Sequence, residues 1–161
     1  MIHRLFTAAS ATSLLLSLAA LSAGCALRTD VSLNPKYQHG WVPGHDYELR
    51  RPMALVHDTG TGVVYFEPDK VGLPLGSVVG WVSSHDQVLV EHAPAGTRFR
   101  VEKLIRDNNW PMMTVTTAEG HILSERHKGS IVALSTVSGQ DRIGELEIVQ
   151  SRDDSWVAPV P

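Results

Sequence analysis

A single cysteine in 161 residues excludes an internal disulfide framework and any site built from several cysteine ligands. Charge is also sparse. Fourteen Lys and Arg stand against 17 Asp and Glu, a net charge of −3, and no basic stripe of the kind that binds nucleic acid is present. No nucleic-acid partner is expected. No segment carries a 3.6-residue apolar stripe over three turns, so no long helix is expected. There is no repeat of fixed period, no Gly-x-Ser-x-Gly elbow, no phosphate loop and no dinucleotide fingerprint, so no cofactor is implied. Aromatics make up only 6% of the chain, yet four of the ten are Trp. The 13 Gly and nine Pro are scattered, as in a turn-rich globular chain.

The chain opens with Met1-Ile2-His3-Arg4, which carries positive charge at Arg4 and the amine. From Leu5 to Leu21 there is no charged residue, and Leu14 to Leu21 forms an apolar core. The stretch is 17 residues long and diluted by Ser and Thr. A permanent membrane helix needs about 20 strongly apolar residues, so a cleaved signal peptide is the expected reading. Small residues follow in Leu21-Ser22-Ala23-Gly24-Cys25. They let the chain lie extended in a narrow peptidase site, and the thiol offers a nucleophilic sulfur for thioether attachment of a diacylglycerol.

This run resembles the lipobox of bacterial lipoproteins, over residues 1–25 only. The resemblance implies cleavage after Gly24, recognised through Leu21, Ser22, Ala23 and Gly24, and attachment of a diacylglycerol to Cys25. A third acyl chain, such as palmitate, usually joins at the new amine. Ser22 departs from the family's preferred Leu three positions before Cys, although permissive versions accept Ser. The family's sorting scheme retains lipoproteins at the inner membrane when Asp follows the Cys. Ala26 stands there instead, which favours the outer membrane. No twin-arginine pair precedes the apolar core, so the general secretion route is implied. Membrane lipid, through acylated Cys25, is thus the first expected partner. Two or more acyl chains anchor stably, at about 0.8 kcal/mol per buried CH₂.

Removal of residues 1–24 leaves 137, enough for one modest core. Residues 25–46 lack periodicity and contain Asn34-Pro35 and Pro43-Gly44, so they read as the lipidated terminus and a flexible tether. Residues 47–161 read as one β-rich domain. Met53–His57 and Val63–Phe66 flank Asp58-Thr59-Gly60-Thr61-Gly62 as a hairpin. Residues 67–76, with two Pro and two Gly, read as a loop. Strands are expected at 78–82 and from 87. A further strand over 97–105 would set Phe99, Val101 and Lys103 on one face, and Arg98, Arg100, Glu102 and Leu104 on the other. Asp107-Asn108-Asn109 reads as a turn. Runs at 112–117, 131–134 and 145–149 complete seven to nine short strands. The expected fold class is all-β, a small single-domain barrel or sandwich. Gly96 to Gly120 resembles bacterial SH3-type barrels in its order of Gly turn, charged strand, polar turn with Trp, strand and Gly. That resemblance implies an SH3-like form of the barrel.

Seven histidines remain after processing: His39, His45, His57, His85, His92, His121 and His127. Their spacing gives no local metal pair, and no metal site is expected. His39 and His45 would flex together in the tether. Ser83-Ser84-His85-Asp86 strings triad residue types in a row, but neighbours in an extended chain point apart, so a polar turn is the better reading. Among Trp41, Trp81, Trp110 and Trp156, Trp110 follows the Asp107–Asn109 turn and is the best candidate for an exposed contact. Trp41 and Trp156 would dock onto the domain. Two readings of function remain. The first is a non-enzymatic binding or accessory module in the periplasm, acting on an envelope protein or the cell wall. The second is a hydrolase or metal-dependent enzyme using scattered His and Asp residues. Its discriminator is whether histidines converge with a carboxylate in a cleft.

Overall fold

The computed structural model describes residues 28–161 apart from 83–84, 111–112 and 125–126, with the side chains of 81, 82, 109 and 110 also outside the description. Within those bounds the chain is all-β. Twelve strands form in sequence order: β1 Thr29–Asp30, β2 Asp46–Leu49, β3 Met53–Asp58, β4 Val64–Glu67, β5 Val78–Val82 and β6 His85–Ala93. Then come β7 Arg98–Trp110, β8 Met113–Ile122, β9 Ile131–Ala133, β10 Ser138–Gly144, β11 Glu147–Arg152 and β12 Val157–Pro159. Short 3-10 turns at Pro35–Tyr37, Pro68–Lys70 and Ser135–Val137 are the described helical elements.

All twelve strands join one sheet along the path β12-β2-β7-β8-β9-β4-β3-β6-β5, with β1 on β7 and β10-β11 on β8. The path does not close on itself. Of the forms expected, the barrel, SH3-like or otherwise, is therefore not formed. Most ladders are antiparallel, but β4–β9 and β8–β11 are parallel. Residues from β2, β3, β4, β7, β8, β9, β11 and β12 meet in a single core, so the sheet wraps around one apolar centre. A smaller cluster of Ala54, Val56 and Leu89, with Val79 packed on it, lies on the other side of β3. Met53 to Val56 are consequently all buried. Even numbers face one cluster and odd numbers the other.

The hairpin expected around Asp58 forms as β3–β4. Asp58 is buried at the turn, and its Oδ1 accepts the backbone N–H groups of Gly60 and Thr61, each at 2.9 Å. The Thr61 and Gly60 bonds hold this carboxyl below the usual carboxylate range against the opposing effect of desolvation. At the other long hairpin, Gly96 (φ +84°) supplies the left-handed residue that turns the chain into β7.

Strand β7 departs from simple alternation. Val101 pairs with Gly120 and Lys103 with Glu119, which leaves Glu102 as an extra residue in a bulge. Phe99 and Val101 face the core, Glu102 and Lys103 both face solvent, and Leu104 returns to the core. Leu104 and Lys103 thus exchange the faces expected of them. The bulge brings β7 so close to β8 that a Cβ on Gly120 would lie 2.2 Å from the Arg100 carbonyl oxygen. Asp107-Asn108-Asn109 is not a turn either. Asp107 pairs with Val115 and Trp110 with Met113, so the strand runs through it and the hairpin reverses beyond Trp110.

The largest revision concerns residues 25–46. From Thr29 on, the expected tether is part of the folded domain. Thr29 and Asp30 pair with Arg106 and Ile105, and Val31 N–H donates to Leu104 O at 2.9 Å. Tyr37 is buried, and Trp41 is fully buried. Trp41 meets Tyr47 edge-on at 5.1 Å and Phe99 at 6.3 Å, and Phe66 closes the aromatic group at 5.6 Å from Phe99. Tyr47 Oη accepts Val42 N–H at 2.8 Å and donates to Gly40 O at 3.2 Å, which ties the segment to β2. Single buried aromatics spaced by turns carry no periodic signal, yet each brings about 150–250 Å² of surface out of water.

Candidate functional site

Leu21, Ser22, Ala23, Gly24 and Cys25 lie outside the described residues. What the fold does define is where the chain leaves that segment. Arg28 is the first described residue, and its guanidinium reaches Asp107 at 3.6 Å and Glu119 at 2.5 Å. Lys103 joins Glu119 at 3.4 Å. Two residues on, Asp30 Oδ1 accepts Ser32 N–H and Oγ–H, and Ser32 Oγ accepts Leu104 N–H at 2.9 Å. The Ser32 hydroxyl and backbone bonds hold the Asp30 carboxyl below its ordinary value. The chain is therefore stitched to β7 by backbone, hydroxyl and ionic contacts at once.

A shallow groove of about 600 Å³ opens beside this stitch. Asp30 to Asn34 form one side, and Pro43 and Glu102 line the rest. At its rim Leu33 is 96% exposed, the most exposed of the large apolar residues described. Asn34 caps the following 3-10 turn through Lys36 N–H, with Pro35 at its first position. Lys36 and Arg106 both bind Glu147, at 3.3 and 2.7 Å, and tie this turn to β7 and β11. Desolvation pushes the Glu147 carboxyl up, but bonds from Arg106 and Lys36 outweigh it and hold the group low.

A second exposed apolar feature lies in the β4–β5 connection. Val71, Leu73, Leu75 and Val78 are all exposed there, and β5 terminates the sheet path. His92 Nε2 binds Leu73 O at 3.0 Å, and Gly76 N–H donates to Leu89 O, so the loop is held at both ends.

The histidines do not converge. His39, expected to flex with His45, instead pairs with Asp141 of β10 at 2.7 Å, while the backbone of His45 extends the β2–β7 ladder. His121 stands 2.9 Å from Glu102 across β7–β8, and His127 pairs with Glu91 of β6. Each pair joins two separate elements. Among the described residues no group of three or more His, Cys, Asp or Glu is placed to hold a metal ion. His85 and Asp86 begin β6 in the ladder with β5, and Ser83 and Ser84 lie outside the described residues.

The four tryptophans divide in the same manner. Trp41 is core, and Trp156 is half-buried beneath the Arg51 guanidinium, 5.0 Å from its ring. Trp110 ends β7, and its side chain, like that of Trp81, is outside the description. Sequence reasoning missed Leu33 and the strand before it. The signal available was Asp30-x-Ser32 followed by Asn34-Pro35, an Asx turn leading into a capped helical turn. Among the described residues no helix is long and apolar enough to cross a membrane. No family model, no curated protein and no solved structure matches the chain.

Proposed function

We propose that this chain is a bacterial envelope lipoprotein whose β domain acts as a non-enzymatic binding module. It is held through acylated Cys25, in the outer membrane and on its periplasmic side. The observation that carries the reading is the run Leu21-Ser22-Ala23-Gly24-Cys25 directly after a charge-free apolar stretch, with the chain's only cysteine at its end. A basic start, an apolar core, small residues and one thiol are the parts that export, cleavage and acylation need. Binding rather than catalysis is supported by the exposed Val71, Leu73, Leu75 and Val78 beside the terminal strand β5. An edge strand offers unpaired backbone groups, and neighbouring apolar side chains offer area that water does not compete for. The occupant of that surface is another envelope component.

Intact mass and membrane fractionation of the wild type beside Cys25→Ala test this. Loss of residues 1–24 with a gain of acyl mass, both abolished by the substitution, is the expected result. An unacylated protein released as soluble in both forms overturns the reading.

A further inference from the structure

The stitching of β1 to β7 limits how far the domain can stand from its anchor. Cys25 and Thr29 are four residues apart, so an extended chain spans at most about 14 Å between their Cα atoms. The headgroup layer of one leaflet is itself about 5–8 Å thick. A chain of 134 residues folds to a radius of gyration of about 14 Å, as large as the whole remaining lead. A domain so held can stand no more than about 10 Å beyond the headgroups, less than its own radius. The face turned toward the membrane is then the one that carries Thr29.

That face presents Leu33, 96% exposed in the turn that follows β1, with Val42 at 36% exposure next to the groove residue Pro43. Its full exposure leaves the whole Leu33 side chain available for burial in an apolar medium. The cations nearby are already engaged: Arg28 and Lys103 with Glu119, and Lys36 with Glu147. Asp30 and Glu102 add negative charge at the groove. The face is thus suited to apolar insertion among zwitterionic headgroups and not to attraction by anionic lipid.

Building on the lipoprotein reading, we propose that the face bearing Leu33 is a membrane-lying foot. Leu33 sits at the headgroup–acyl boundary of the leaflet that holds the Cys25 acyl chains. The domain then works at the membrane surface, and a partner must come to that surface to meet it.

The test uses the full processed protein carrying Leu33→Cys, labelled with an environment-sensitive fluorophore. Acylation of Cys25 leaves the new cysteine as the only free thiol, and position 33 is exposed enough for the domain to fold unchanged. The protein is reconstituted in vesicles of phosphatidylethanolamine and phosphatidylglycerol, and Leu75→Cys is labelled for comparison. The expected result is blue-shifted emission at 33 with several-fold quenching by shallow spin-labelled lipid, insensitive to salt, and aqueous emission at 75. A flexible Gly/Ser insert between Leu27 and Arg28 is expected to weaken the quenching while the protein stays in the membrane. If position 33 is aqueous in an acylated, membrane-held protein, or both positions are quenched alike, the foot is wrong and the lipoprotein reading stands. An unacylated protein that stays in solution overturns both.

Discussion

Replacing Trp41 with alanine separates a tether from a structural segment, because Trp41 lies within the stretch that carries no periodic signal. The indole is fully buried against Tyr47 and Phe99. Truncating a buried Trp typically costs about 3–5 kcal/mol, out of a total domain stability of about 5–15 kcal/mol. With a urea m-value of about 2 kcal/mol/M, the midpoint falls by about 2 M at unchanged slope. At about 4 °C per kcal/mol for a domain of this size, the melting temperature falls by about 12–20 °C. The assay is urea and thermal unfolding of the mature chain bearing Cys25→Ala, followed by far-UV circular dichroism. Two companions sharpen it. Leu33→Ala, in the same segment but exposed, is expected to shift stability by no more than about 0.5 kcal/mol. Trp41→Phe keeps an aromatic ring beside Tyr47 and removes an indole N–H that has no partner in its buried site, so it costs clearly less than alanine. If Trp41→Ala is as silent as Leu33→Ala, the segment is a tether and the packing argument fails.

Other outcomes follow from the same geometry. Gly120→Ala is expected to destabilise the domain by about 1–3 kcal/mol, since the new methyl meets the Arg100 carbonyl oxygen across the bulge; urea midpoints check it. Glu147 has its pKa depressed below the ordinary 4.5 by Arg106 and Lys36, so its contribution is present above that value and lost as pH falls through the lower folded value. Glu147→Gln therefore lowers stability at neutral pH and narrows the loss seen on acidification, measured as urea midpoints between roughly pH 3 and pH 7. An acid limb identical to the wild type's would show that the Glu147 cluster does not contribute.

The regular parts of the fold are legible where alternation and turn chemistry agree. The Asp58–Gly62 turn between two β-rich runs reads directly as β3–β4, and the loop after Glu67 reads from its Pro and Gly. What hides is non-local. The parallel pairings β4–β9 and β8–β11 join segments far apart in sequence and leave no local mark. The bulge at Glu102 reverses the faces of Lys103 and Leu104, because one extra residue shifts a period of two. The Thr29–His45 segment hides for another reason. Its place is fixed by isolated anchors, Tyr37 and Trp41, and by hydrogen bonds to β2 and β7, none of which repeats. As for the site, Cys25 lies outside the described residues, and the exposure of Leu33 depends on β1 docking, a tertiary event that leaves no local mark.

The pairing of β12 with β2 has a consequence for biogenesis. Val157 to Pro159 lie beside Tyr47 to Leu49, and Val160 N–H donates to Asp46 O. Residues 157–160 thus complete an edge begun more than a hundred positions earlier. Loop closure over that distance comes late in folding, and ladders of such high contact order form slowly. Strand β2 therefore stays open along this side until residues 157–160 have been made and have folded back onto it. The latch on β2 closes last, and whatever delays the return of residues 157–160 leaves that edge open to other strands.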